Sequence, residues 1–437
     1  MTRIYLTTAT GGLSTDVAPV GGGVAVLEAL LPALAARPDF EVTVLRPGSR
    51  ADECEIDGVR WVDLPVPVLQ DAAPDAFLHF GERRYARFAL QWESALRRFF
   101  EAVVPGGAVV VANDVSEGPP FAWLHERGFR QVVLYHVVVA DFFARQYLSG
   151  PFGVRLSAAR AAQMWRAAER LGVGRLAPDI ARLVWAKEGE SARYAEALVA
   201  PSAPLAEALA VCYPGRGVES RAHVVPWGVI GEADPSLRAL RRETLADYEI
   251  AEDRFVLLTL SRLSPEKRVE KLLGALRWIE KERPQLADRL ALVVAGGPAY
   301  MGGDRYYAKL EQTAAELRRV EVRFVGYVGG ESKWRLFAAA DLFCSPSHYE
   351  AYGLTIAQAL ASGTPVLATA HQGARVIVEP EFGWIVGDGA QEIGAGVEQA
   401  VEMELGSMRE SAAAWGQVHG FSDAAAALVS IIDGVSR

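Results

Sequence analysis

The stretch from 345 to 369, SPSHYEAYGLTIAQALASGTPVLAT, holds the most informative candidate site. A predicted strand ends at Cys344, a short loop carries Glu350, and Tyr352 to Leu354 open a predicted helix. The first N–H groups of a helix lack partners within it and lie at the positive end of its dipole, so they can bind a diphosphate. An ordinary strand–loop–helix unit would show the same pattern, and the residues alone leave both interpretations open.

Two basic residues lie in a second stretch, TLSRLSPEKRVEKLL. Arg262 follows a predicted strand, and Lys267 is predicted in the first turn of the next helix, beside Arg268. Because cations are disfavoured near a helix N-terminus, a bound phosphate would explain them. The alternative is that surface helices commonly carry such side chains.

Three glycines, Gly21 to Gly23, precede a helix predicted over 24–36, in which Pro32 predicts a kink. Glycine lets a ligand approach the backbone closely and exposes N–H donors. The spacing fits neither a dinucleotide fingerprint nor a phosphate-binding P-loop. A flexible loop is the alternative.

A histidine, His136, lies inside QVVLYHVVVADFF, whose residues 132–139 are predicted as a strand. Within such a strand a histidine is either a hydrogen-bonded core residue or, near the carboxyl end, a site residue. The other histidines, among them His371 and His419, are isolated and are interpreted as structural.

Several motifs are absent from the sequence. It contains no D-x-D pair, no H-E-x-x-H, no G-x-S-x-G and no Cys/His cluster with ligand spacing. We therefore expect neither a metal nor a bound cofactor beyond the substrate itself.

Short apolar runs alternate with helical periods and predict an α/β protein with doubly wound parallel sheets. The chain has 437 residues, which favours two domains. The pattern restarts after Gly231, so we place the boundary at 232. Predicted strands cover 3–8, 41–46, 109–112, 132–139, 197–200, 223–226, 255–260, 290–295, 322–325, 341–344 and 365–368.

Bulk composition excludes some function classes. The formal net charge is −9, which gives no general attraction to nucleic acid. No apolar run reaches ~18 residues, so membrane insertion is not expected. Three distant cysteines and an N-terminus without a signal-like profile predict a cytoplasmic protein.

These stretches together resemble the retaining glycosyltransferases of family GT4, which have the GT-B fold. The resemblance covers nearly the whole chain and is strongest over 255–390. It includes the N-terminal glycines, His136, VVPWGV, LSRLSPEK, VAGGP, VRFVGYV, the 345–369 stretch and GWIVGDG. It implies two Rossmann-like domains facing a central cleft: an acceptor domain, 1–232 plus a crossover helix at about 420–437, and a donor domain, 233–419.

The resemblance also implies roles for single residues. Arg262 and Lys267 would bind the donor diphosphate, and Glu350 the hydroxyls of the donor sugar. His136 would lie near the reacting sugar. The remaining donor contacts would come from Gly22, Gly23, Tyr327, Val328, Tyr352, Gly353, Leu354 and Gln358.

Two residues depart from the family pattern. The family has Glu, seven residues and a second Glu that accepts hydrogen bonds from the ribose, whereas this chain has Gln358 as the second residue. An amide offers one neutral carbonyl and one NH₂ group instead. Trp227 stands where the family usually has Asn.

The sequence thus predicts a metal-independent retaining glycosyltransferase of bacterial secondary metabolism, with a UDP- or GDP-type sugar donor and a small-molecule acceptor. A sugar phosphorylase, or a nucleotide-sugar hydrolase or epimerase, on the same fold is one alternative. A non-catalytic nucleotide-sugar-binding partner protein is another, because of Gln358. The oligomeric state stays open.

Overall fold

A computed structural model describes residues 1–9, 21–70, 80–147, 158–172, 174, 179–299 and 303–437. The chain divides into two compact units. Unit 1 is Met1–Pro226 together with Ser422–Arg437, and unit 2 is Trp227–Phe421. The sequence had placed this boundary at 232 and the return of the chain at about 420.

The strands are short and mostly buried, as alternating α/β units require. They are β1 (Thr2–Thr7), β2 (Phe40–Gly48), β3 (Asp52–Ile56), β4 (Val59–Pro65), β5 (Ala108–Ala112), β6 (Arg130–Leu134), β7 (Ala197–Ala200), β8 (Ala222–Val224), β9 (Phe255–Leu260), β10 (Leu290–Ala295), β11 (Glu321–Gly326), β12 (Leu342–Ser345), β13 (Val366–Thr369) and β14 (Gly383–Val386).

Helices follow most of these strands. They are α1 (Gly22–Ala35), α2 (Glu82–Glu101), α3 (Phe121–Glu126), α4 (Val139–Tyr147), α5 (Ala158–Arg170), α6 (Asp179–Tyr194), α7 (Ala203–Cys212), α8 (Val218–Arg221), α9 (Arg241–Asp247), α10 (Val269–Glu282), α11 (Pro284–Ala287), α12 (Gly303–Ala314), α13 (Gly330–Ala339), α14 (Leu354–Ala361), α15 (Gln372–Ile377), α16 (Ala390–Glu402), α17 (Gly406–Val418) and α18 (Phe421–Ser436). Short 3₁₀ turns cover Pro67–Leu69, Pro235–Leu240 and Pro265–Lys267.

Unit 1 contains an eight-stranded sheet in the order β3-β4-β2-β1-β5-β6-β7-β8. Its pairs are parallel except β3 with β4. The antiparallel hairpin was not predicted, since β3 is polar and exposed and carries no core pattern. Phe88 and Trp92 of α2 pack with Val110 in the core of this unit. The chain reverses its winding direction between β1 and β5, which makes the carboxyl ends of these strands a switch point.

Unit 2 contains a six-stranded sheet in the order β11-β10-β9-β12-β13-β14, and all its pairs are parallel. The predicted strand 255–260 is confirmed residue for residue, as is 290–295. Leu272 and Leu276 of α10 pack with Val397 of α16 in the core. Here the winding reverses between β9 and β12, so a second switch point lies at their carboxyl ends.

One expectation about local structure needs correction. The strand predicted over 132–139 ends at Leu134, and α4 already begins at Val139. The predicted kink residue Pro32 lies inside α1, which continues to Ala35. Within the described residues, no helix is both long and apolar enough to cross a membrane.

Candidate functional site

The switch point of unit 2 collects the charged candidates. Arg262 follows β9, and Glu350 lies in the loop after β12. Because β9 and β12 are parallel neighbours, both loops leave the same edge of the sheet. Sequence spacing alone did not show that these two loops are adjacent.

Lys267 pairs with Glu350 at this edge. Its Nζ lies 2.5 Å from Glu350 Oε1, with 14% and 18% of the two side chains exposed. The Oγ of Ser347 donates a longer bond, 3.4 Å, to the same oxygen. The sequence predicts Lys267 and Glu350 on separate elements, and the structure brings the two together in one ion pair.

The backbone around Lys267 differs from the prediction. Lys267 lies in the 3₁₀ turn Pro265–Lys267, not in the first turn of an α-helix. Arg268 then adopts a left-handed conformation with φ of 51°, so α10 begins only at Val269. The argument from the helix dipole assumes that Lys267 lies in the first turn of the helix. Because Lys267 lies before Arg268 and α10, that argument does not apply to it.

A backbone hydrogen bond holds the turn against the loop of Glu350. The N–H of His348 donates to the carbonyl of Glu266 at 2.7 Å. This bond fixes the residue before Lys267 next to the residues before Glu350. The ion pair is thus formed by side chains whose backbones are already in register.

The charge of Glu350 is maintained by its surroundings. Burial by itself would raise the pKa of this carboxyl, but Lys267, His371 and Arg262 together outweigh it, so the pKa lies below its usual value. The carboxylate is therefore ionised at neutral pH and accepts hydrogen bonds.

His371, interpreted from the sequence as isolated and structural, supports the same loop. Its Nδ1 accepts the N–H of Ala374 at 3.0 Å and caps α15. The proton must then be on Nε2, which lies 3.2 Å from Ser345 Oγ. Burial lowers the pKa of His371 to about 4, so the ring is neutral at neutral pH.

The same helix start fixes the backbone of the Glu350 loop. The N–H of Gly373 donates to the carbonyl of Glu350 at 2.9 Å. A Cβ at Gly373 would lie 2.3 Å from the carbonyl oxygen of Tyr352, so only glycine fits there. No simple sequence pattern links 371–373 with 350–352, which is why these contacts were not predicted.

The predicted start of α14 matches the structure closely. Gly353 has φ of 100° and caps the helix, which begins at Leu354. Gly363 has φ of 72°, the left-handed conformation predicted for the residue that ends it. The first N–H groups of α14 therefore lie at the switch point, in the loop that also carries Glu350.

The predicted base-contacting residues follow β11 at the same edge. The N–H of Gly296, after β10, donates to the carbonyl of Gly326 at 2.6 Å and joins the two strand ends. Tyr327 is 48% exposed, and Val328 is buried. The structure therefore places them on the loop next to the end of β10.

Unit 1 brings a different group together at the carboxyl ends of β5 and β6, next to its switch point. His136 lies just beyond the end of β6, not within the strand. Its Nε2 lies 2.9 Å from Asn113 Oδ1, at the end of β5. Asn113 Nδ2 in turn donates to the carbonyl of Gly23 at 3.3 Å. Since that bond fixes the amide, Nε2 of His136 must carry the proton.

The glycines before the predicted helix have a steric role. Gly22 and Gly23 already belong to α1. A Cβ at Gly23 would lie 2.8 Å from Cδ2 of His136, so a side chain there would displace the imidazole. Gly23 is therefore needed for close packing, and the flexible-loop alternative does not hold for these two residues.

Two residues that the sequence analysis missed position His136. One is Asn113. The other is the buried Glu188 of α6, which accepts the N–H groups of Val139 at 2.6 Å and Ala140 at 3.0 Å and so holds the start of α4. Burial raises the pKa of Glu188 to about 7. Desolvation lowers the pKa of His136 to about 4, so its ring is neutral at neutral pH.

Among the residues that the structure describes, no three His, Cys, Asp or Glu side chains are grouped to hold a metal ion. Trp227, the first residue of unit 2, is 2% exposed and so belongs to the core.

Part of the chain is similar in sequence to known proteins. Residues 241–417 match the family model described as glycosyl transferases group 1. A D-inositol 3-phosphate glycosyltransferase of Salinispora tropica is 34% identical over 141 residues, which cover 32% of this chain and 29% of that protein. The chain therefore spans about a third of the length of the curated relatives it matches.

Solved structures match over nearly their full length. Sucrose-phosphate synthase from Thermosynechococcus elongatus has a TM-score of 0.74 at 17% identity, covering 99% of both chains. Anabaena Alr3699/HepE, in complex with UDP and glucose, has a TM-score of 0.63 at 16% identity, covering 99% of this chain and 100% of that one. At these identities the likeness shows the fold. Residues 241–417 are thus similar to the glycosyl transferases group 1 family, and the two Rossmann-like units of the chain have the GT-B fold.

Proposed function

We propose that this protein is a metal-independent retaining glycosyltransferase that transfers a sugar from a nucleoside diphosphate to an acceptor hydroxyl. The observation that carries the proposal is the Lys267–Glu350 pair at the switch point of unit 2, in the loop that opens α14. A cation, a carboxylate and helix N–H groups together suit a diphosphate next to a sugar.

In this proposal, positive groups of unit 2 stabilise the departing nucleotide. Lys267, Arg262 and the first N–H groups of α14 would meet the charge that develops on the diphosphate. Fixed donors aimed at developing charge commonly supply the largest catalytic contribution. No protein-bound metal is required by this arrangement.

Glu350 would bind the sugar. Its carboxylate is ionised at neutral pH, as its lowered pKa requires, and it would accept hydrogen bonds from sugar hydroxyls. The same carboxylate pairs with Lys267 in the structure. Donor binding would then exchange part of this ion pair for contacts with phosphate and hydroxyl groups.

His136 would act as a neutral hydrogen-bonding group near the sugar. Asn113 fixes the proton of the ring on Nε2, and the lowered pKa keeps the ring neutral. The ring would therefore neither repel a cationic transition state nor compete for the phosphates. Gly22 and Gly23, which like His136 belong to unit 1, would also contact the donor. Tyr327 and Val328 would contact the nucleobase, and Gln358 the ribose.

Retention of configuration is part of the proposal. The reaction would proceed without a covalent intermediate on a protein carboxylate. The acceptor would then attack from the face that the nucleotide leaves. The acceptor would be a small soluble molecule. The curated relative is named for D-inositol 3-phosphate, a small hydroxyl-bearing molecule, which supports this class. A cytoplasmic location fits such a substrate.

Thermal unfolding with nucleotides tests the donor site. UDP, GDP, ADP, dTDP and CDP are each added in the presence of EDTA to wild type and to Lys267→Ala. A nucleotide at ~100-fold over its Kd stabilises the folded state by ~2.7 kcal/mol. We expect one nucleotide to raise the midpoint of the wild type, and Lys267→Ala to lose most of the shift.

Lys281→Ala is the matched control, because Lys281 lies on α10 with 81% of its side chain exposed. It should respond like the wild type. If no nucleotide stabilises the wild type, the proposed donor site is wrong. If Lys267→Ala shows the same shift of the midpoint as the wild type, Lys267 is not part of the donor site.

A further inference from the structure

The loops at and next to the switch point of unit 1 contain no basic residue. Residues 8–21 connect β1 to α1, 113–120 connect β5 to α3, and 135–138 connect β6 to α4, and none of them is Lys or Arg. In unit 2, by contrast, residues 261–268 after β9 contain three basic side chains. A phosphate bound at this edge of unit 1 would therefore depend on backbone N–H groups or on cations of neighbouring elements.

A carboxylate already occupies a backbone donor at this switch point. Oδ2 of Asp114 accepts the N–H of Ala9 at 2.8 Å and the hydroxyl of Thr8 at 3.1 Å. Thr8 and Ala9 follow β1, whereas Asp114 follows Asn113, the partner of His136. Ligands of open α/β sheets bind where the winding reverses, so Asp114 places negative charge at the position that a ligand of unit 1 would take.

The start of α4 is occupied in the same way. The buried carboxyl group of Glu188 accepts the N–H of Val139 at 2.6 Å on Oε1 and the N–H of Ala140 at 3.0 Å on Oε2. Tyr213 Oη also donates to Oε2, at 2.8 Å. The first N–H groups of a helix are the backbone donors that a phosphate usually takes, and here the protein fills them with its own carboxyl group.

The other donors near this edge are also engaged or missing. Helix α3 follows Pro119 and Pro120, and proline has no N–H to offer. Three cations of neighbouring elements each have an acidic partner: Arg46 with Asp63, Arg145 with Asp141, and Lys187 with Glu93. The proposed function assigns the start of α1 to the nucleotide sugar. A phosphate carried by the acceptor would thus meet Asp114 without a compensating cation among these groups.

We propose that the acceptor is an uncharged sugar or polyol, without a phosphate or carboxylate group, and that Asp114 selects it. This inference rests on the proposed function, because it concerns the acceptor of that transfer. A carboxylate accepts hydrogen bonds from neutral hydroxyl groups and repels an anion. The acceptor thus differs from D-inositol 3-phosphate, the phosphorylated compound for which the relative from Salinispora tropica is named.

The transfer itself is the same for a charged and an uncharged acceptor. The hydroxyl oxygen of the acceptor bonds to the anomeric carbon of the donor sugar, and the bond from that carbon to the diphosphate breaks. The hydroxyl proton passes to the departing nucleotide. Only the charge of the acceptor differs between the alternatives, and an ion-exchange resin separates acceptors by that charge.

Fractionation of acceptors by charge tests the proposal. An extract of small molecules from the cells in which the protein originates is passed over an anion-exchange resin. The unbound and bound fractions are each incubated with the enzyme and with a donor that is labelled in its sugar and carries the nucleotide that stabilises the wild type. We expect labelled product from the unbound fraction. D-inositol 3-phosphate is added separately as a defined probe and should accept no label.

The variant Asp114→Asn tests the residue itself. The Oδ1 of asparagine can still accept the N–H of Ala9, so the loop keeps this bond while the charge is lost. The KM of the acceptor purified from the unbound fraction should rise about 5- to 10-fold, because a charge-assisted hydrogen bond becomes a neutral one. The KM of the nucleotide sugar should stay the same. Glu101→Gln, at the exposed end of α2, is the matched control and should change neither value.

The possible results separate the three claims. Labelled product from the bound fraction or from D-inositol 3-phosphate would overturn the uncharged acceptor, as would the absence of product from both fractions. If Asp114→Asn leaves the KM of the acceptor unchanged, or raises both KM values equally, Asp114 does not select the acceptor. If none of the five nucleoside diphosphates stabilises the wild type, the proposed function fails, and this inference fails with it.

Discussion

The candidate groups of both units lie at the carboxyl ends of neighbouring parallel strands but differ in their chemistry. In unit 2, Lys267 and Glu350 form an ion pair at the carboxyl edge between β9 and β12. In unit 1, His136 and Asn113 form a neutral hydrogen bond at the carboxyl edge of β5 and β6. Each sheet supplies a carboxyl edge, and the side chains decide what each edge can bind.

The difference follows from what each unit is proposed to hold. A diphosphate requires positive charge and N–H donors, which unit 2 supplies through Lys267, Arg262 and α14. A sugar or a neutral acceptor requires hydrogen bonds without a strong field. In this proposal the ring of His136 would provide them, because desolvation lowers its pKa to about 4 and so keeps it neutral.

Replacing Lys267 with alanine should give the largest effect. If it removes a donor aimed at the leaving diphosphate, kcat for transfer should fall ~10²–10³-fold. The substrate is the sugar donor that carries the nucleotide found to stabilise the wild type. The measurement is the rate at which this nucleotide is released during transfer. Lys281→Ala should keep normal turnover, and a tenfold loss or less in Lys267→Ala would contradict the assigned role.

Acid should weaken each unit through its neutral histidine. Because the folded-state pKa of His371 is lower than the unfolded value of 6.5, protons bind the unfolded chain more readily. The contribution is complete above pH 6.5 and is lost as the pH falls towards 4, by up to about 3 kcal/mol. The loss from His136 should be smaller, since it is only half-buried.

Urea unfolding between pH 7.5 and 4.5 measures this dependence. His371→Asn should flatten the dependence of unit 2, and His136→Asn that of unit 1. If each variant loses stability with acid as steeply as the wild type, carboxylates and not these histidines cause the dependence.

A methyl group at Gly23 should give the smallest of these effects. Gly23→Ala places a Cβ against the imidazole of His136, and forced packing of this kind costs ~1–3 kcal/mol of folding free energy. It should also move the ring away from Asn113. Chemical denaturation and turnover are the measurements.

The control for this substitution is Gly106→Ala in the same unit, where a Cβ would have no neighbour within 4 Å. It should leave stability and turnover nearly unchanged. If Gly23→Ala loses no more stability and turnover than Gly106→Ala, His136 tolerates the added methyl group and Gly23 is not needed for its placement.

The sequence by itself determined the elements that carry strong local patterns. Strand 290–295 is apolar throughout and strand 255–260 is apolar except for Thr259, and Gly353 and Gly363 mark the ends of α14 through their own backbone preferences. These features depend on residues close together in the chain, so they can be seen in it. The roles assigned to the site residues stay predictions.

Only the tertiary structure decided which loops meet and which side chains pair. The strand order places Lys267 against Glu350, 83 residues away in sequence, and Asn113 against His136. It also gave Gln358 a partner at Ile230, which no local pattern indicates. Pairing of distant residues depends on the order of strands in a sheet, and that order is set by packing of the whole unit.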